Sequence, residues 1–91
     1  MRVKVKLFAT LREATGVSQL ELEVSSSKVV DVLHMLIGMY PQLSTMLDSS
    51  GKLKKFYKVF LNGRDIDHIK GLETPVKDGD TIAVFPPVAG G

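Results

Sequence analysis

Few side chains in this sequence are suited to covalent or metal chemistry. It has no cysteine, which leaves no disulfide framework, no thiolate nucleophile and no cysteine-ligated zinc or iron–sulfur site. Its two histidines, His34 and His68, have no neighbouring carboxylate cluster, so structural or solvated roles are expected for them and no metal site. Asp78 and Asp80 flank Gly79, but no further ligand series follows, and turn chemistry accounts for the pair. The remaining candidate is the end of the chain, Phe85-Pro86-Pro87-Val88-Ala89-Gly90-Gly91. Two prolines cannot donate to a sheet ladder and force an extended exit. The residues after Val88 are all small, so the terminus can pass through a narrow channel, and glycine tolerates close approach from every side. The terminal carboxylate of Gly91 is therefore the expected reactive group. Presenting it is expensive, since ordering one residue costs about 1–2 kcal/mol, so the base of the tail needs an anchor.

The elements that must position this tail follow from hydrophobic alternation. Residues 2–8 alternate strictly, with Val3, Val5 and Leu7 on one face and Arg2, Lys4, Lys6 and Phe8 on the other, as in a half-buried strand. Phe8 is the exception on the outer face. After a connection over residues 9–16, residues 19–24 form a second strand with Leu20, Leu22 and Val24 inward. Antiparallel pairing would set Lys4 and Lys6 against Glu21 and Glu23. Ser27 is the expected N-cap of a helix, with Asp31 in its first turn and a stripe of Val29, Leu33, Leu36, Ile37 and Tyr40. The helix should stop near Tyr40, before Pro41. Met35, Met39 and Met46 suit core filling. A helical turn around Leu43, Met46 and Leu47, a polar loop over residues 48–52 and an anchoring Leu53 come next. Lys52, Lys54 and Lys55 form a small basic run, expected to be a solvated face, with contact to an acidic rim on a partner as the alternative.

A third strand over residues 56–61 meets Asn62-Gly63, whose residues tolerate the positive φ of a tight hairpin. A short return strand and loop cover residues 64–72, residues 77–80 turn, and the last strand spans residues 81–85 with Ile82 and Val84 inward. Strand, strand, helix, strand, short strand, strand specifies an α+β domain, a mixed sheet of about five strands covered by one main helix. This is the β-grasp arrangement that ubiquitin also has. We place the domain at residues 1–85 and the extended tail at residues 86–91. With first and last strands adjacent and parallel, Phe8 and Phe85 become neighbours on the outer face. Phe56, at the start of the third strand, is expected level with them, giving an exposed aromatic patch of the kind that marks a partner surface.

At 91 residues and a formal net charge of +2, the chain has room for one domain and too mild a charge excess to argue for nucleic acid. No apolar run approaches the roughly 20 residues of a membrane span, and no signal peptide is evident. A cytoplasmic protein working with other proteins is expected.

Three stretches carry a family resemblance: Leu7-Phe8-Ala9-Thr10-Leu11-Arg12-Glu13, Lys77-Asp78-Gly79-Asp80, and the Phe-Pro-Pro-Val-x-Gly-Gly ending. Together they resemble the small subunit of molybdopterin synthase, a ubiquitin-like sulfur carrier, over the whole chain. The resemblance implies that the chain is no enzyme on its own and binds no cofactor. A ubiquitin-activating-type enzyme would use ATP and magnesium to adenylate Gly91, and a sulfur donor system would convert the adenylate to a thiocarboxylate. The tail would then deliver sulfur to a pyranopterin precursor inside the large catalytic synthase subunit. It also implies partner contacts at Phe8, Arg12 and Phe85. Residues 64–72 form a longer stretch than bacterial members have and resemble archaeal-type members. Some of those serve tungsten cofactor synthesis or are conjugated to lysines, so the resemblance leaves molybdenum or tungsten cofactor synthesis open, and a protein modifier acting through Gly91 is the alternative.

Overall fold

The computed structural model describes residues 1–25 and 27–87. Strand β1 (Arg2–Leu7) and strand β2 (Gln19–Glu23) pair antiparallel. Between them the chain forms helix α1 (Ala9–Thr15), where the sequence suggested only a connection; a single buried residue, Leu11, is too little to create a periodic pattern. Gly16 ends α1 at φ 75°, donating its N–H to Arg12 O, a left-handed cap that glycine takes without strain. The expected ladder of lysines against glutamates forms only in part. Lys4 faces Glu21, but Lys6 faces Gln19 and Arg2 faces Glu23. The ion pairs are made by Arg2, at 3.6 Å to Glu21 and 3.7 Å to Glu23, and by the Met1 amino group, at 3.5 Å to Glu23.

Helix α2 (Val29–Met39) follows the short strand β3 (Ser27–Lys28). Its N-cap is Lys28, one residue later than expected, because Ser27 is taken up by pairing with Val76 of strand β6 (Pro75–Val76). Asp31 caps the helix instead, accepting from the Lys28 backbone N–H at 2.9 Å, where its charge also suits the helix dipole. Val29, Val32, Leu33 and Leu36 are buried; Ile37 and Tyr40 pack at the margin. Met46 belongs to the core, whereas Met35 and Met39 lie exposed on the helix's outer side. Residues Pro41–Met46 form a 3₁₀ turn, and Leu53 packs against the core while bridging to Leu47.

Strand β4 (Lys58–Leu61), strand β5 (Arg64–Asp65) and strand β7 (Thr81–Phe85) complete a five-stranded sheet in the order β2-β1-β7-β4-β5. β7 runs parallel to β1 and antiparallel to β4, the β-grasp topology. Asn62 and Gly63 take φ 51° and 85° in the β4–β5 hairpin. The Asn62 side chain then ties the hairpin to β7, donating to Asp80 Oδ1 at 2.8 Å and accepting from Thr81 N at 2.9 Å. Val3, Val5, Leu7, Val59, Ile82 and Val84 meet Leu33, Leu36 and Leu43 in one core between sheet and helix. The opposite face of the sheet remains open for the residues at the base of the tail.

Candidate partner surface at the base of the tail

β1 and β7 are in register with Leu7 opposite Val84. Because both are buried, the next residue on each strand points to the outer face, and Phe8 and Phe85 stack there with ring centroids 4.3 Å apart and planes 7° apart. On the other side Lys58 is the partner of Phe85 and Phe60 of Ala83. Phe60 is therefore the diagonal neighbour of Phe85 and meets its ring edge-on, at 5.5 Å and 78°, within the reach of aromatic side chains across a sheet. Ala83, small and outward between Lys6 and Phe60, leaves room for the rings. Lys6 and Lys58 flank the three half-buried phenylalanines.

The third ring is thus Phe60 and not Phe56. Residues 54–57 close a turn, with Tyr57 N donating to Lys54 O at 3.3 Å, so the strand starts at Lys58 and Phe56 is left outside it. Phe56 takes φ 70° and is 73% exposed; Lys55 Nζ lies 5.9 Å from its ring centroid. Phe60 shares strand parity with Lys58 and lies two residues before the Asn62-Gly63 turn. Counting back from that turn would have found it.

Arg12 is exposed on α1, one turn after Phe8, and makes no ion pair among the described residues. Ala9, between them, takes φ 51°, turning the chain from β1 into α1 directly behind the Phe8 ring. Pro86 is buried against the domain and Pro87 is exposed. The final residues of the expected reactive tail, Val88, Ala89, Gly90 and Gly91, lie outside the described residues.

Charge at the rim is held in place by a small network. Lys58 Nζ lies 3.4 Å from Asp65 and 3.5 Å from Asp67, and the field of Asp65 raises the lysine pKa above its ordinary value. The Asp65 carboxyl is held below its ordinary value, first by the backbone N–H of Asp67, which donates to it at 2.9 Å, and then by Lys58. Among the described residues no group of three histidine, cysteine or acidic side chains is arranged to hold a metal ion, and no helix is long and apolar enough to cross a membrane. A groove of about 400 Å³, lined in part by Asn62, Arg64, Lys70, Lys77 and Asp80, opens where β7 begins, at the opposite end of that strand from the tail.

The sequence and the fold of the whole chain have known relatives. The model of the ThiS family matches residues 5–91. This chain belongs to that family. Small archaeal modifier protein 3 of Haloferax volcanii is 39% identical over 92 residues, spanning all of both chains. The molybdopterin synthase sulfur carrier subunit of Chlamydomonas reinhardtii is 29% identical over 92 residues, again spanning both. Among solved structures, the crystal structure of SAMP1 from Haloferax volcanii superposes with a TM-score of 0.89 at 33% identity, covering all of each chain. Relatives of this chain thus carry names from both sulfur transfer and protein modification.

Proposed function

We propose that this protein is a sulfur carrier whose Gly91 carboxylate is activated by a partner enzyme and converted to a thiocarboxylate for sulfur transfer. A carboxylate is a poor acyl donor. Attack of its oxygen on the α-phosphorus of ATP, with magnesium, expels pyrophosphate and leaves an acyl-adenylate. A sulfide equivalent from a sulfur donor protein then displaces AMP, one C–O bond breaking as one C–S bond forms, and the product is a thiocarboxylate. Gly91 would be the covalent carrier, in the general sense of nucleophilic catalysis, while the partners supply catalytic side chains. Donation to a pyranopterin precursor, as small subunit of a molybdopterin synthase, is the acceptor reading that the Phe-Pro-Pro-Val-x-Gly-Gly ending and the Chlamydomonas relative support.

The observation that carries the proposal is the stacked Phe8–Phe85 pair, with Phe60 against it, directly before buried Pro86. A rigid apolar patch one residue from the tail is what a partner needs to grip the domain while the carboxylate reaches its active site. Arg12, one turn from Phe8, would meet a partner carboxylate or carbonyl. The test is intact-mass measurement after incubation with ATP, a ubiquitin-activating-type enzyme and a sulfur donor. One oxygen-to-sulfur exchange is expected for the native chain and none for a chain extended by one residue beyond Gly91. No exchange in the native chain sinks the proposal.

A second reading is favoured by the 39% identity to a modifier protein: the activated Gly91 forms an isopeptide bond with lysines of other proteins. It predicts branched remnants of residues 78–91, the stretch that follows the last basic residue Lys77, on target lysines in tryptic digests. Their absence from cells making the protein would remove this reading and leave the first.

A further inference from the structure

Two described residues that are neither glycine nor asparagine take positive φ, Ala9 and Phe56. Ala9 has a packing reason, since it starts the helix that seats Leu11 in the core. Phe56 has none. It occupies the third position of the turn closed by Tyr57 N and Lys54 O, where φ 70° falls in the region that such turns reserve for glycine or asparagine. A bulky residue there is a genuine outlier, and outliers of this kind concentrate at functional sites. The strained backbone also leaves the ring in water, 73% exposed. Within the domain the ring comes only to the margin of cation–π distance from Lys55 Nζ, at 5.9 Å, and a glycine or asparagine would close the same turn without strain.

The surroundings of the ring are basic. Lys52, Lys54 and Lys55 are all exposed, and none makes an ion pair among the described residues, whereas Lys58 is held by Asp65 and Asp67. The ring also belongs to the end of the sheet from which the tail leaves, because β4 begins two residues later with Lys58 opposite Phe85. We propose that Phe56 is a partner anchor separate from the Phe8–Phe60–Phe85 patch. It inserts into an apolar pocket rimmed by carboxylates on the enzyme that adenylates Gly91, with Lys52, Lys54 and Lys55 meeting that rim. A second copy of this chain is the wrong occupant, since it would bring like charge against the three lysines. The activating enzyme is the one partner that both fates of the tail require. The inference rests on the carrier reading.

The test uses ATP–pyrophosphate exchange by the purified ubiquitin-activating-type enzyme of the source organism, with this protein as varied substrate. Phe56→Asn is expected to leave the urea midpoint unchanged or raised, since asparagine tolerates the turn. It should raise KM by roughly ten- to hundredfold, the worth of one buried phenylalanine ring, with kcat retained, as for contacts made equally in ground and transition states. Reversing Lys52, Lys54 and Lys55 to glutamate should raise KM and abolish the increase of KM with salt that the native chain shows. An unchanged KM for Phe56→Asn overturns the inference while native turnover keeps the carrier reading. A lowered midpoint shows that the ring serves the fold, and a native dimer dissolved by the substitution shows that the occupant is a second copy; either overturns it. A native chain that supports no exchange removes both proposals together.

Discussion

Truncating the stacked rings one at a time and together tests whether the patch is a cooperative unit. Phe85 touches both Phe8, at 4.3 Å, and Phe60, at 5.5 Å. Fully burying a phenylalanine ring contributes about 1.5–3 kcal/mol, of which a half-buried ring keeps about half, and each aromatic pair adds about 0.5–1.5 kcal/mol beyond its area. Phe85→Ala should therefore destabilise the domain by about 2–4 kcal/mol and Phe8→Ala, which breaks one pair, by about 1–3 kcal/mol. A domain of this length has about 5–13 kcal/mol in hand, so both variants fold. In urea titrations, where the slope for small proteins is about 1–3 kcal/mol per molar, the Phe85→Ala midpoint should fall by roughly 1–2 M. The decisive quantity is the coupling. Phe8→Ala with Phe85→Ala should cost less than the two single changes added, by about 0.5–1.5 kcal/mol. Additivity within about 0.5 kcal/mol would mean that the rings are independent surface groups and would refute a preorganised patch.

At the hairpin, Asn62 supplies both a positive φ and two hydrogen bonds to the start of β7, so Asn62→Gly should lose about 1–2 kcal/mol through the bonds alone. Asn62→Ala should lose about 1 kcal/mol more through backbone strain, an order that thermal melts can check. Leu33, fully buried beneath the sheet, should cost about 2–5 kcal/mol when cut to alanine, measured by chemical denaturation. The lowered pKa of Asp65 implies that its stabilisation is present above the unfolded value of about 4 and is lost as pH falls through the lower folded value. The stability gap between the native chain and Asp65→Asn should accordingly narrow below about pH 4 in acid titrations.

What the sequence made legible was whatever repeats. The alternation of Val3, Val5 and Leu7 with Arg2, Lys4 and Lys6 gave the strand and its face, and with them the outward Phe8. Ile82 and Val84 did the same for Phe85, so the pair found stacked was visible as two parity exceptions. Asn62-Gly63 located the hairpin through its φ requirement. What stayed hidden were features whose cause lies elsewhere in the chain. Helix α1 has one buried residue and so no period to detect. Ser27 was a plausible cap until Val76, 49 residues away, claimed it for a strand. The turn at residues 54–57 lacks the glycine that would announce it, because Phe56 holds the left-handed position, so the alternation extends two residues beyond the strand's true start at Lys58 and gives Phe56 the place beside Phe85 that Phe60 holds. The same substitution of a phenylalanine for a turn residue hid the strand boundary and marks the candidate anchor.

The two aromatic features differ in how much contact each has left to offer, and this separates their roles. Phe8, Phe60 and Phe85 are already half-withdrawn from water by one another, so a partner gains limited further area from them. Their mutual stacking restricts their rotamers before any docking, and with Pro86 buried next in the chain they would, on the carrier reading, set where the tail emerges. Phe56 keeps nearly three-quarters of its accessible surface and sits among lysines that make no ion pair among the described residues, so it can contribute more affinity per ring, but only to a surface that is apolar and acidic together. The patch should therefore be required at every step, and Phe56 only where such a surface exists. With thiocarboxylate protein prepared in advance, Phe85→Ala should impair both adenylation of the carboxylate form and sulfur donation by the thiocarboxylate form, whereas Phe56→Asn should impair adenylation alone. Equal impairment of both steps by Phe56→Asn would place the ring in the common patch and dissolve the distinction.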